Sequence, residues 1–261
     1  VADTLRLGGP QFCIDAACAS SLYAVGLACA MLSDGQADLM LAGAVSAADP
    51  LFINMGFTHF GAYPEGGASR PLDADSEGLI AGEGAGLLVL KRYSDALRDG
   101  DVIHAVVAGI GLSNDGRGKH PLTPNSSGQI LAFQRAYQQG IDPRTVQYIE
   151  CHASGTPLGD KTELRSMDEF FGARHSTPLI GAVKSNQGHL LTVAGHASLL
   201  KVIMSMRHGL LPATIGVQNP LTSQHFGAAQ IVRQNTPWLQ AEKTAGINAF
   251  GFGGVSAHLV L

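Results

Sequence analysis

The 261-residue chain predicts an α/β fold with mixed sheets. Short apolar runs of strand length alternate with Ala/Leu-rich or amphipathic stretches of helix length. Glycine is frequent, 33 residues, against a usual share of about 7%, which suits tight turns and close backbone approaches. The residues best able to do chemistry fall just after predicted strands, the edge of an α/β sheet where active sites collect.

Phe12–Asp15 reads as the end of a short buried strand. Ala19–Leu32 carries apolar Leu22, Val25, Cys29 and Leu32 at helical spacing, and Asp34-Gly35 stops that helix. Asp38–Val45 is a strand, residues 59–84 a Gly- and Pro-rich loop, and Ala85–Leu90 a buried strand followed by a short helix over Ser94–Arg98. Val102–Gly111 is strand-like and Ser126–Gln139 helical. Val146–Cys151 predicts a strand ending at His152, Lys161–Phe171 a helix, and Leu179–Val183 a strand ending before Lys184. Leu190–Arg207 is a long helix. Gly246–Phe250 and Ala257–Leu261 are strands around Gly251-Phe252-Gly253-Gly254. A loose boundary falls near Asp99-Gly100-Asp101, giving segments 1–100 and 101–261.

The formal net charge of −4 offers no basic footprint for nucleic acid. No apolar run approaches the roughly 18 residues of a membrane span, and no signal peptide is visible. Cys13, Cys18, Cys29 and Cys151 lack paired CxxC spacing, so neither a zinc ribbon nor a disulfide framework is indicated. A reduced, cytoplasmic setting is expected. A start at Val1, with Cys18 close behind, suggests a segment cut from a longer protein.

Three islands carry the chemistry: Asp15-Ala-Ala-Cys18-Ala-Ser-Ser21, Cys151-His152-Ala-Ser-Gly-Thr-Pro-Leu-Gly-Asp160 and Lys184-Ser-Asn-Gln-Gly-His189. Cys18 sits where a strand gives way to a helix, so unpaired N–H groups and the helix dipole should lower its thiol pKa. Small Ala16, Ala17 and Ala19 leave room for an acyl chain. The Cys18 N–H could help hold an oxyanion. Taken alone, Cys18 reads as a buried core thiol and each histidine as a hydrogen-bonded core residue; the three islands together reverse that reading. Two neutral imidazoles donating to one oxygen would stabilise an enolate as it forms. Lys184, at a buried strand end, needs a partner, and Glu163 is the candidate. Zinc held by His152, His189 and His196 has no supporting ligand spacing. His59, His104, His120, His175, His208, His225 and His258 are assigned surface or packing roles. Gly82-Glu-Gly84-Ala-Gly86 is mis-spaced for a nucleotide fingerprint and precedes a strand. Asn248-Ala-Phe-Gly-Phe-Gly-Gly254 can present N–H groups, that of Phe252 being a candidate second oxyanion donor.

Five ordered stretches resemble the β-ketoacyl synthases (ketosynthases). DAACASS is similar to their D(T/S)ACSSS, ECHASGTPLGDKTE to EAHGTGTxxGDPxE, KSNQGH to KSNIGH, and NAFGFGGVSAHLVL to SSFGFGGTNAHVVL. SRPLDADSEGLIAGEGAGLLVLK follows the family's run into its central strand. HASGT for HGTGT, Gln187 for an apolar residue and Ser256 for Asn are departures that remove no catalytic group. SNDGRGKHPLTPN (113–125) resembles type I synthases. With ADPLFINMGF (48–57) it is similar to ketosynthase domains of polyunsaturated-lipid and glycolipid synthases.

The resemblance implies the thiolase fold, a five-layer αβαβα stack with the N-terminal half incomplete here. It also implies a homodimer inside a multidomain synthase. Cys18 would accept the acyl group, His152 and His189 would serve decarboxylation and condensation, and Lys184 and Glu163 would support the site. Cys18 and Phe252 would form the oxyanion hole. No bound cofactor or metal is implied; substrates would arrive on the phosphopantetheine of an acyl carrier protein. Two rivals stay open. A chain-length factor usually lacks the cysteine. A coenzyme A thiolase normally uses a second cysteine near the C-terminus, where this chain has the glycine motif.

Overall fold

The computed structural model describes residues 1–47, 50–66, 68–116 and 123–261, with Pro50 as backbone only. Residues 48–49 and 117–122, within the two stretches compared with lipid synthases, lie outside the described residues, and so does His120. The helices are α1 (Ala2–Leu5), α2 (Ser20–Ser33), α3 (Pro50–His59), α4 (Tyr93–Asp99), α5 (Ser126–Tyr137), α6 (Pro157–Phe170), α7 (Lys184–Gln187) and α8 (Ala194–His208). The strands are β1 (Leu39–Ser46), β2 (Gly84–Lys91), β3 (Gly109–Asn114), β4 (Tyr148–Glu150), β5 (Leu179–Gly181), β6 (Leu210–Leu211), β7 (Thr236–Pro237), β8 (Ala245–Gly251) and β9 (Val255–Val260).

A five-stranded mixed sheet, in the order β3-β9-β8-β4-β5, forms the centre. β4 runs parallel to β5 and β8, whereas β9 is antiparallel to β8 and β3. On one face, Phe133 and Ala136 of α5 and Leu164, Met167 and Phe170 of α6 pack with Ile149, Ile180 and Val260. On the other, Leu22, Val25 and Ala28 of α2 and Leu199 and Val202 of α8 pack with Ile247, Ala249, Ala257 and Leu259. The antiparallel pair β1-β2 covers the far side of α2 and α8, with Ala42, Leu88 and Leu90 turned inward. The described residues thus form four consecutive layers, α5/α6, sheet, α2/α8 and sheet, of the five expected.

Several boundaries differ from expectation for local reasons. Phe12–Asp15 forms no strand: no described strand pairs with it and Phe12 is exposed. The β2 strand is buried on one face only, with Leu87 and Val89 exposed. Residues 102–108 form no strand, and the ladder with β9 begins at Gly109. Helix α6 starts earlier than Lys161, because Thr156 is its N-cap and Pro157 opens its first turn, where a missing N–H is tolerated. Helix α8 starts later than Leu190, because Leu191 sits at φ 51°. Helix α3 lacks an apolar period and was not expected. Asn125 caps α5 by accepting the Ser127 N–H, as Asn does at N-caps.

Candidate active site

The nucleophile candidate stands on a strained turn. Ala17 has φ 49°, a conformation that costs an alanine about 1 kcal/mol or more. The turn is fixed around it: Asp15 Oδ1 accepts the Ala17 N–H at 2.8 Å, Ser20 Oγ accepts the Ala16 N–H at 2.9 Å, and the Ser20 hydroxyl donates to the Ala17 carbonyl at 2.7 Å. Cys18 then opens into α2. The end of β8 packs directly on this turn. A Cβ on Gly251 would lie 2.6 Å from the Ala16 carbonyl oxygen and 3.2 Å from the Cys18 nitrogen, so only glycine fits there.

Burial dominates the thiol. It pushes Cys18 up to about 11, against the opposing pull of Lys184 and of the N–H groups of Cys18 and Phe252. The expected lowering at a helix start is therefore outweighed by desolvation. The thiol rests protonated at neutral pH.

The two histidines meet edge to face, with ring centroids 5.3 Å apart. His152 follows β4, and His189 follows α7, where the isolated pairing of Ala81 with His189 joins loop to loop. Burial holds both imidazoles well below their usual range, and the Lys184 charge lowers each further. Both are neutral at physiological pH. The Leu191 N–H donates to His189 Nδ1 at 2.9 Å, so the proton of neutral His189 sits on Nε2. His152 Nδ1 is buried with no partner among the described residues. Burial lowers Lys184, while Glu150, Glu163, Cys18 and Asp160 favour its charged form.

The expected Lys184–Glu163 ion pair is not formed. Both carboxylate oxygens of Glu163 are already engaged: Oε1 accepts the His152 N–H at 2.7 Å and the Asn248 amide at 2.8 Å, and Oε2 accepts the Ala153 N–H at 2.7 Å. Glu163 acts on Lys184 only through its charge. Ala153 holds φ 24°, strained for a side chain at the position where HGTGT has glycine. Burial raises Asp160 to about 7; it accepts the Leu72 and Gly155 N–H groups at 2.9 and 3.1 Å, tying the 59–84 loop to the His152 loop.

Lys184 thus acts on the thiol and on both imidazoles, and the N–H groups of Cys18 and Phe252 act on the thiol. A model described as "Beta-ketoacyl synthase, N-terminal domain" matches residues 1–96, and one described as "Beta-ketoacyl synthase, C-terminal domain" matches residues 104–218. This chain belongs to the β-ketoacyl synthase family.

Among its relatives, a polyunsaturated fatty acid synthase polypeptide of Thraustochytrium sp. (strain ATCC 26185 / S-3) is 42% identical over 267 residues, covering 100% of this chain and 13% of that protein. A phenolphthiocerol/phthiocerol polyketide synthase polypeptide of Mycobacterium tuberculosis is 36% identical, covering 98% of the chain and 14% of the relative. The chain therefore spans a small part of these proteins. Among solved structures, the "PfaC Keto synthase-Chain length factor" superposes with TM-score 0.95 at 54% identity, covering 98% of this chain and 28% of that one. The ketosynthase from module 6 of the bacillaene synthase of Bacillus subtilis 168 gives TM-score 0.93 at 33% identity, covering 99% and 48%. These structures share the thiolase-like mixed α/β architecture.

Residues that sequence reasoning missed surround the candidate site. Behind Glu163, Asn248 Oδ1 accepts from His258 Nδ1 at 2.6 Å, and His258 Nε2 accepts the Tyr137 hydroxyl at 3.0 Å. His258 is thus a buried polar link as well as a packing residue, its ring centroid 4.9 Å from that of Phe133. Glu150 and Lys201 form a buried ion pair at 2.7 Å. The signal for them was a carboxylate in the apolar run Tyr148-Ile-Glu150-Cys151 and a lysine in Leu199-Leu-Lys201-Val-Ile, each needing a partner. His196, weighed as a zinc ligand, is engaged by the Ala42 carbonyl at 3.2 Å.

Proposed function

We propose that this chain is the condensing part of a β-ketoacyl synthase that joins an acyl group held on Cys18 to a malonyl-type extender. The observation that carries the reading is the pair of neutral histidines 5.3 Å apart, His189 buried and His152 half-buried, sharing one lysine with a half-buried thiol.

In the first half-reaction Cys18 attacks the acyl thioester of a carrier protein's phosphopantetheine. Its proton leaves with the departing pantetheine sulfur, so a resting thiol suffices. The N–H groups of Cys18 and Phe252 receive the carbonyl oxygen as it gains charge. In the second, the extender loses carbon dioxide and its C–C bonding pair becomes an enolate. His189 Nε2–H and the His152 ring donate to that enolate oxygen. Neutral rings are required, because they stabilise the developing charge without surrendering a proton to the carbanion. The carbanion forms the new C–C bond at the acyl carbonyl, and Cys18 leaves as thiolate.

An acyl carrier protein, a homodimer and further domains of a multidomain synthase belong to this reading, and polyunsaturated or polyketide products fit the relatives. A chain-length factor is the second reading, prompted by the structural neighbour that pairs a ketosynthase with such a factor; the presence of Cys18 favours the condensing role. The test is intact-mass detection of acylated Cys18, with malonyl decarboxylation assayed separately. His152→Ala and His189→Ala should lose decarboxylation while keeping acylation. Label retained in Cys18→Ala, or normal decarboxylation in both histidine variants, would overturn the assignment.

A further inference from the structure

A buried ion pair behind the site holds the backbone on which Lys184 stands. Glu150 ends β4, two residues before His152, and is fully buried. Its Oε1 accepts the Val183 N–H at 2.5 Å, and Val183 is the residue that opens α7 at Lys184. Its Oε2 accepts the Lys201 ammonium at 2.7 Å and the Tyr148 hydroxyl at 2.6 Å. Lys201, from α8, also donates to the Tyr148 oxygen at 2.8 Å and stands 5.4 Å from that ring's centroid. One carboxylate therefore joins β4, the β5–α7 turn and α8, and through them both histidine segments.

A hydrophobic trio would hold these elements together without burying charge, which is often as stable. The charge has a further consequence here, because Glu150 is the foremost anion acting on Lys184. The other groups facing Lys184 are Glu163 and Asp160 of α6, Cys18 before α2, and His152 and His189. Lys201 neutralises part of the Glu150 charge and locks its orientation.

We propose that Glu150 and Lys201 are positioning residues for the decarboxylation step, Glu150 setting the place and charge of Lys184 and Lys201 setting Glu150. The inference rests on the ketosynthase reading above.

The test uses the full polypeptide that carries these residues. Malonyl-thioester decarboxylation is measured against pH, beside Cys18 acylation, in wild type, Glu150→Gln, Lys201→Met, the double variant and His152→Ala. Glu150→Gln keeps an oxygen for the Val183 N–H but removes the anion. The alkaline limb should move down by about one pH unit, the low end of a neighbouring charge's effect. Lys201→Met removes a competing cation and should move the limb up, and the double variant should return towards wild type. Acylation should stay within about threefold in the Glu150 and Lys201 variants. A purely structural role would lower the rate at every pH without moving the limb, and that result overturns the inference while leaving the histidine roles intact. Normal decarboxylation in His152→Ala would instead overturn the reading beneath it. If Lys201→Met does not fold, Glu150→Gln alone decides through the direction of its limb.

Discussion

Replacing Glu163 by glutamine changes one buried atom from acceptor to donor, and the structure says which contact suffers. Oε1 serves two donors, the His152 N–H and the Asn248 amide, whereas Oε2 serves only the Ala153 N–H. Glutamine will keep its oxygen on the first pair and turn its NH₂ towards Ala153. A buried N–H then faces another donor, a loss of about 2 kcal/mol. The two surviving bonds change from a charged to a neutral acceptor, about 1 kcal/mol each. Removing a buried charge returns part of its desolvation. The net is about 2–4 kcal/mol, or about 5–10 °C in Tm at roughly this chain length. Ala153 is already strained, so the released loop should relax and carry the His152 ring off target. Thermal unfolding and decarboxylation rate are the assays. Because Glu163 and Lys184 share no direct bond, the double variant with Lys184→Met should show a coupling below about 1 kcal/mol. A Glu163→Gln protein that unfolds within about 1 °C of wild type and decarboxylates normally would refute the clamp.

Cys18, held up to about 11, should react with iodoacetamide about tenfold faster per pH unit between 7 and 10; a plateau below pH 8 would show a thiolate already formed. Gly251→Ala should cut Cys18 acylation by about tenfold or more and stability by about 1–3 kcal/mol, since its Cβ meets the Ala16 carbonyl at 2.6 Å; wild-type acylation would show that the turn yields. His258 is depressed to about 3, so the unfolded chain takes up a proton near pH 6.5 that the folded protein refuses. Its stability contribution is present above that pH and is lost as pH falls towards 3, up to about 4–5 kcal/mol. His258→Gln should flatten the fall of Tm between pH 6 and 4, and an unchanged slope would disprove it.

Much of this protein was legible in its sequence because the signals are local. Cys18, His152, Lys184 and His189 stand in short segments whose glycines and small residues announce a turn, and alternating apolar runs announce strands and helices. The α/β class, most elements and the candidate chemical groups follow from that. Helix α3 did not, because its apolar residues have no period, and Leu191 delays the start of α8 through a backbone angle no composition reveals. What only the tertiary structure decided is which charges meet. Glu163 looked free to pair with Lys184, but the His152 and Ala153 N–H groups and Asn248, 85 residues away in sequence, claim its oxygens first. Glu150 and Lys201, 51 residues apart, find each other only because β4 and α8 share a layer boundary. The Cys18 pKa follows the same rule. A helix start is a local feature and lowers it, but desolvation is set by everything packed around the thiol, and here that larger, non-local effect prevails.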